Sequence, residues 1–76
     1  MDDLIAVLQK LYASEINAGL QANWDAGIDV WLGDDYRGQK AKETFAVDEL
    51  PLAARWLDET ARQHFPDSDY ARNRTA

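Results

Sequence analysis

Few side chains in this 76-residue chain have a type and spacing suited to catalysis. The single histidine, His64, stands beside Phe65 and before Pro66, where a histidine commonly interacts with the carbonyl groups of a helix end. The two serines, Ser14 and Ser68, lie outside any nucleophile-elbow sequence. A chain this short also has little room for an enclosed pocket of the ~300 Å³ that ligand sites usually need. We therefore predict no catalytic residue and no enzymatic activity.

Carboxylates are the remaining candidate ligands for a metal ion. One histidine and no cysteine cannot complete a zinc site within a single chain. The adjacent pair Asp34 and Asp35 lacks the alternate-residue spacing of a calcium loop, and no glutamate follows at the required distance. Acidic residues favour turns and keep a surface hydrated, so we predict no metal ion and no cofactor.

The net negative charge of the chain comes from its first half, because the acids and bases of the second half balance. Residues 1–36 carry seven acids and one base, whereas residues 37–76 carry seven of each, which gives the net charge of −6. Phosphate binding needs clustered lysine and arginine, so nucleic acid is an unexpected partner. The unpaired acids of the turns predict a negative rim at the ends of the sheet. An alternative function follows, an acidic module that competes with nucleic acid for a basic protein surface.

Length and composition restrict the class of protein. The chain is 46% hydrophobic, too apolar for a disordered tail, and 76 residues fit one small domain. Its apolar runs are far shorter than the roughly 20 residues of a membrane span. The acidic start differs from the basic start of a secretory signal. We predict a soluble cytoplasmic protein.

The first two elements are a helix and a strand. Leu4, Leu8 and Leu11 recur at spacings of four and three, which predicts an amphipathic helix from Asp2 to about Ala13. From residue 14 the period changes to two and predicts a strand that is apolar on one face through residue 24.

A hairpin follows, with a turn over residues 25–27 and Gly27 in the positive-φ region. Pairing Trp24 with Ile28 makes every pair on one face of the two strands apolar and predicts Trp24 in the core. The second turn, over residues 34–37, pairs Gly33 with Gly38.

A third strand is predicted beyond the second turn. The proposed pairing sets Trp31 beside Lys40, as a cation–π pair, and Asp29 beside Lys42, as an ion pair. Glu43 would then lie on the apolar face, so we expect an edge strand or a bulge near Glu43.

A second helix begins near residue 48 or 49 and ends before Pro66. Its predicted buried face runs from Leu50 to Phe65 and includes Trp56 and His64. Residues 1–66 therefore form a single α-β-β-β-α domain, and residues 67–76 form a polar C-terminal tail from which Tyr70 folds back on the body.

The predicted fold class is α+β: a helix, a three-strand antiparallel meander and a helix, with both helices packed on the one apolar sheet face. This order resembles the double-stranded RNA-binding domain over about 65 residues, in topology. That family holds RNA with lysines at the start of its second helix, where this chain has Asp48 and Glu49. Like charges repel phosphate, so the resemblance implies the fold and not RNA binding.

Three sequence segments carry a second resemblance. The runs SEIN (14–17), WDAGIDVWLGD (24–34) and AARWL (53–57) resemble a pattern in a group of short uncharacterised bacterial proteins. The resemblance spans most of the chain and implies no activity.

The remaining functional signal is an aromatic residue on the open sheet face. Trp31 falls on the face that the helices leave uncovered, near Asp29, Lys40 and Lys42. Aromatic residues anchor interfaces, although Trp31 would serve equally well simply to cover Gly19, Gly33 and the stem of Lys40. With Tyr36 at the tip of the second turn, these residues form the predicted binding surface. We predict a protein-interaction or self-associating domain, with a protein partner or a homodimer.

Overall fold

A computed structural model describes residues 2–34 and 38–72 of the chain. The elements, in order, are helix α1 (Asp2–Ala13), strands β1 (Ala18–Asn23), β2 (Gly27–Asp34) and β3 (Gly38–Phe45), a short 3₁₀ turn (Val47–Glu49), helix α2 (Leu50–His64) and helix α3 (Asp69–Arg72). The strands form one antiparallel sheet in the order β1-β2-β3. The predicted α+β meander between two helices is confirmed.

The core lies between one sheet face and the two long helices. Ile28, Val30 and Leu32 alternate along the central strand β2 and are all buried. Leu11 of α1 and Leu57 of α2 are fully buried against them in the same cluster. Helix α1 contacts β1 and α2, while α2 contacts β2 and β3. Both helices therefore cover the apolar face, as alternation along β2 requires.

The first hairpin has the predicted faces but a different register. Ala22 pairs with Ile28 and Leu20 with Val30, so β1 is displaced by two residues from the predicted pairing. A shift of two leaves every side chain of β1 itself on its predicted face, because the side-chain period of a strand is two.

The position of Trp24 is where the prediction was wrong. The Ala26 amide donates to the Asn23 carbonyl at 3.1 Å, so the turn begins at Asn23 and includes Trp24. The side chain of Trp24 is consequently 97% exposed and not in the core. Gly27 follows with φ +104°, which confirms the predicted positive φ.

The third strand is the predicted edge strand, again in a shifted register. Trp31 pairs with Lys42 and Asp29 with Thr44, so the expected Trp31–Lys40 neighbour pair is wrong. The irregularity lies between Leu32 and Gly33 and not at Glu43. Gly33 has φ +98° at this point, and the extra residue on β3 is accommodated there.

Strand β1 starts later than the alternating pattern predicts, because residues 14–16 complete the end of α1. The Ile16 amide donates to the Leu11 carbonyl at 2.9 Å, and the Glu15 amide donates to the Tyr12 carbonyl at 3.0 Å. This pair of bonds is the Schellman arrangement, which needs a left-handed residue at Glu15. Glu15 has φ 62°, the only positive φ among the described non-glycine residues. It is a helix cap and not a strand residue.

Helix α2 carries Pro51 in its first turn and ends at His64, as predicted. Its buried side includes Ala53, Leu57 and Ala61, but His64 is exposed, so its expected place on the buried face is wrong. A histidine in the last turn can instead face water near the negative helix end.

The segment after Pro66 includes α3, which packs against α2. Ser68 starts this short helix by accepting a hydrogen bond from the Ala71 amide at 3.2 Å. Tyr70 is 7% exposed, which confirms that it folds back on the body.

Candidate functional site

Asp29 is the centre of a polar network on the sheet face opposite the helices. Its Oδ1 accepts a hydrogen bond from the Thr44 hydroxyl at 2.7 Å, and its Oδ2 accepts one from the Asn23 side-chain amide at 3.1 Å. Lys42 Nζ lies 3.9 Å from the same Oδ2. The three partners come from β1 and β3, so one carboxylate of the central strand connects all three strands.

Lys42 makes the predicted ion pair with Asp29, although along a diagonal. The direct neighbour of Asp29 on β3 is Thr44, and Lys42 stands opposite Trp31. Diagonal neighbours on a sheet remain within reach of a long side chain. The side chain of Lys42 is half exposed, so this contact contributes little to stability.

Trp31 packs on the one β1 position that lacks a side chain. A Cβ placed on Gly19 would lie 2.6 Å from Cζ2 and 2.9 Å from Cε2 of the indole. Gly19 pairs directly with Trp31, so the indole packs against the backbone of its neighbour and remains partly exposed. The expectation that Trp31 covers Gly19 is confirmed. We name the surface formed by Gly19, Asp29, Trp31 and Lys42 the Trp31 face.

Two residues of the predicted binding surface, Lys40 and Tyr36, have side chains outside the described part of the structure. Lys40 lies in β3 beside the register shift, and its side chain is outside the described part of the structure. Tyr36 lies outside the described residues altogether. The structure therefore brings together Trp31, Asp29 and Lys42 of the predicted set.

A second polar cluster, unanticipated as a unit, joins α2 to α3. Arg62 Nη2 and Nε donate to the two carboxylate oxygens of Asp58 at 2.9 and 3.2 Å. The Tyr70 hydroxyl also donates to Asp58 Oδ1, and the Arg62 guanidinium carbon lies 5.2 Å from the centre of the Tyr70 ring. The spacing of four between Asp58 and Arg62 is a sequence signal for an ion pair. No sequence pattern near Tyr70 indicates that its hydroxyl group also binds Asp58.

The contacts of this cluster shift the pKa of two of its members. Burial raises the pKa of Tyr70 above its ordinary value, and the hydrogen bond to the Asp58 carboxylate raises it further. The hydrogen bond to Asp58 raises the pKa of Arg62, against the opposing effect of burial. At neutral pH the phenol of Tyr70 is therefore neutral and the guanidinium of Arg62 is cationic, and both donate hydrogen bonds to Asp58. These contacts stabilise the packing of α3 on α2.

One open depression of the described surface lies beside the α1–β1 connection. It has a volume of about 440 Å³ and is lined by Tyr12, Ala13, Glu15, Ile16 and Asn17. One carboxylate and one carboxamide face it, with no adjacent base or nucleophile in that lining.

Within residues 2–34 and 38–72, no three His, Asp or Glu side chains lie close enough to hold a metal ion together. No helix in the same residues is long and apolar enough to cross a membrane.

Comparison of the chain with protein-family models, with characterised proteins and with solved structures found no match. The resemblances drawn from the sequence remain predictions.

Proposed function

We propose that the protein is a small non-enzymatic interaction domain that binds another protein through the Trp31 face. The observation that carries the proposal is the indole itself, which is partly exposed on the uncovered side of the sheet and packed on Gly19. Aromatic side chains are enriched among the residues that dominate binding energy. A ring already fixed against its neighbour loses little conformational freedom on binding.

The surroundings of Trp31 support the same proposal. The carboxylate of Asp29 accepts hydrogen bonds from Thr44 and Asn23, so a partner that covers the indole leaves this carboxylate with its partners in place. Protein interfaces commonly place an aromatic residue at the centre and polar groups at the rim. Lys42, half exposed beside Asp29, offers a cation at that rim.

The test uses two tryptophans of the same chain as a matched pair. Wild type, Trp31→Ala and Trp24→Ala are immobilised, and proteins retained from a lysate of the source cells are quantified. A retained protein is then purified and its affinity measured by calorimetry. We expect Trp24→Ala to bind as wild type, because Trp24 lies outside the Trp31 face, and Trp31→Ala to bind at least about tenfold more weakly.

The control for folding is Trp31→Phe, which retains an aromatic ring over Gly19. Circular dichroism and thermal unfolding establish that each variant is folded before its affinity is compared. Equal affinities for wild type and a folded Trp31→Ala variant would contradict the proposal, as would equal losses for Trp24→Ala and Trp31→Ala.

The alternative function, an acidic module that occupies a basic protein surface, is favoured by the exposed acids Asp3, Glu15 and Asp25. Binding through these acids weakens steeply as salt is added, whereas binding through the indole does not. The same calorimetric titration at two salt concentrations separates the two functions. We propose a cytoplasmic location and no nucleic-acid or membrane partner in either case.

A further inference from the structure

Strand β1 presents a row of backbone groups at the edge of the sheet. The Gly33 amide donates to the Asn17 carbonyl at 2.7 Å, which fixes the alternation of the β1–β2 ladder. The odd-numbered residues of β1 then direct their backbone groups towards β2. The N–H and C=O groups of Ala18, Leu20 and Ala22 point the other way, towards the open edge.

The two edges of the sheet differ in the residues that protect them. Natural edge strands commonly carry charged residues or proline, which prevent pairing with another chain. Strand β3 follows this rule, with Lys40, Lys42 and Glu43 among its eight residues. Strand β1 has the sequence AGLQAN, which contains no charged residue and no proline. The β1 edge therefore lacks the usual protection.

Side chains along β1 are also incompletely covered on the helix side. Leu20 pairs with Val30, which is fully buried, yet Leu20 itself is 37% exposed. Ala22, two residues further along the same face, is exposed as well. Apolar surface next to an open strand edge is the combination that an added strand would bury.

We propose that two copies of this chain pair through β1, as antiparallel strands related by a two-fold axis at Leu20. In this register Leu20 lies opposite Leu20 of the second copy, and Ala18 lies opposite Ala22. All three residues whose backbone groups face the edge then form hydrogen-bonded pairs, because the set is symmetric about Leu20. The result is one six-stranded antiparallel sheet.

The sequence of β1 itself favours a second copy as the occupant. The strand is its own complement in this register, and no charged side chain of Ala18–Asn23 meets another. The nearest acids, Glu15 and Asp25, lie outside the ends of the strand. After pairing, both free edges of the long sheet are β3 edges, which carry charge. A two-fold contact of this kind closes at the dimer and does not propagate into a fibre.

The net charge of the chain predicts how salt affects the dimer. Each copy carries −6, so two copies repel each other at long range although the paired strands are uncharged. Added salt screens this repulsion, and we expect dimerisation to strengthen with salt. A dimer held by charged contacts would weaken instead, and that result would overturn the proposal.

The main test exploits the Leu20–Leu20 pair. Sedimentation velocity across a dilution series compares wild type with Leu20→Lys and Leu20→Glu, each of which places two like charges opposite each other. We expect each variant alone to dimerise at least about tenfold more weakly, and an equimolar mixture of the two to regain dimerisation. The matched control is Leu52→Lys, since Leu52 is 48% exposed on α2, away from the strand.

A second variant guards against misfolding at position 20. Ala22→Pro removes one outward N–H group at an exposed position, which an edge strand tolerates, and should weaken the dimer while circular dichroism stays unchanged. A wild type that remains monomeric at the highest concentration overturns the proposal. So does a folded Leu20 variant that dimerises normally, or a mixture that fails to recover.

This inference does not rest on the proposed function. Leu20 lies on the helix side of the sheet and Trp31 on the uncovered side, so the loss and recovery expected for Leu20→Lys and Leu20→Glu test the pairing of β1 without changing the indole. Failure of one proposal is thereby distinguishable from failure of the other.

Discussion

Replacing Tyr70 by phenylalanine removes a single hydroxyl group from the contact between α3 and α2. That hydroxyl donates to Asp58 Oδ1, and the Tyr70 side chain is only 7% exposed. A hydrogen bond to a charged group contributes about 1.5–3 kcal/mol to stability. Arg62 Nη2 still donates to the same oxygen at 2.9 Å in the variant, so the carboxylate keeps a partner. We therefore expect a loss near the lower limit, ~1.5 kcal/mol, or roughly 6–12 °C in Tm.

The effect of Tyr70→Phe should depend on pH in one direction. Burial and the bond to Asp58 raise the pKa of Tyr70 in the folded state, whereas in the unfolded chain it stays near its ordinary value of about 10. The stabilisation by the neutral phenol is complete below about pH 10 and is lost as the pH rises above it. Phenylalanine has no proton to lose, so the difference in the free energy of unfolding between wild type and variant should become smaller at alkaline pH.

Urea denaturation followed by circular dichroism measures both effects. Tyr12→Phe is the matched control, because it makes the same chemical change at a side chain that is 86% exposed. We expect the control to match wild type at every pH. The reasoning is refuted if Tyr70→Phe and Tyr12→Phe are equally stable, or if the Tyr70→Phe gap stays constant between about pH 8 and about pH 11.

Two backbone positions give further predictions, each measured by the same urea denaturation. Glu15→Gly should stabilise the protein by about 1 kcal/mol, since a non-glycine residue at φ 62° is strained, whereas the control Glu15→Ala should bring no gain; a less stable glycine variant would contradict this. Gly27→Ala should destabilise it by more than about 2 kcal/mol, because its Cβ would lie 2.5 Å from the Phe45 carbonyl oxygen at a φ of +104°. An alanine variant as stable as wild type would show that the hairpin does not hold β3 in this position.

The face of each strand could be predicted from the sequence, but the register could not. Alternation fixes which residues share a face, and Ile28 and Val30 are on the predicted one. A displacement of two residues preserves that alternation, so hydrophobic pattern alone cannot detect it. The length of the turn decides between the two registers. The turn is longer than predicted, and Trp24 belongs to it and not to the strand. A large apolar residue next to a glycine turn is therefore a weak guide to the core.

Other features depended on contacts between parts of the chain that are distant in sequence. The left-handed cap of α1 usually carries glycine, and a glutamate at that position gives no local signal. Tyr70 is buried because Asp58 and Arg62 lie twelve and eight residues earlier on an adjacent helix. For the Trp31 face, the pattern predicted the side of the sheet and the ion pair of Asp29 with Lys42. The neighbour of Trp31 on β3, which is Lys42, could not be predicted without the true register.

The two proposed surfaces meet at Gly19. In the register centred on Leu20, Gly19 lies opposite Gln21 of the second copy, and both residues are on the uncovered side of the sheet. The indole that packs on Gly19 in each copy is therefore next to the seam, so pairing through β1 would join two Trp31 faces into one continuous surface. A partner with two equivalent contact points would bind such a surface more tightly than a single copy, because its second contact becomes intramolecular. The absence of a side chain at Gly19 thus makes room for the indole of Trp31. It also means that no side chain of Gly19 projects from the uncovered face next to the second copy.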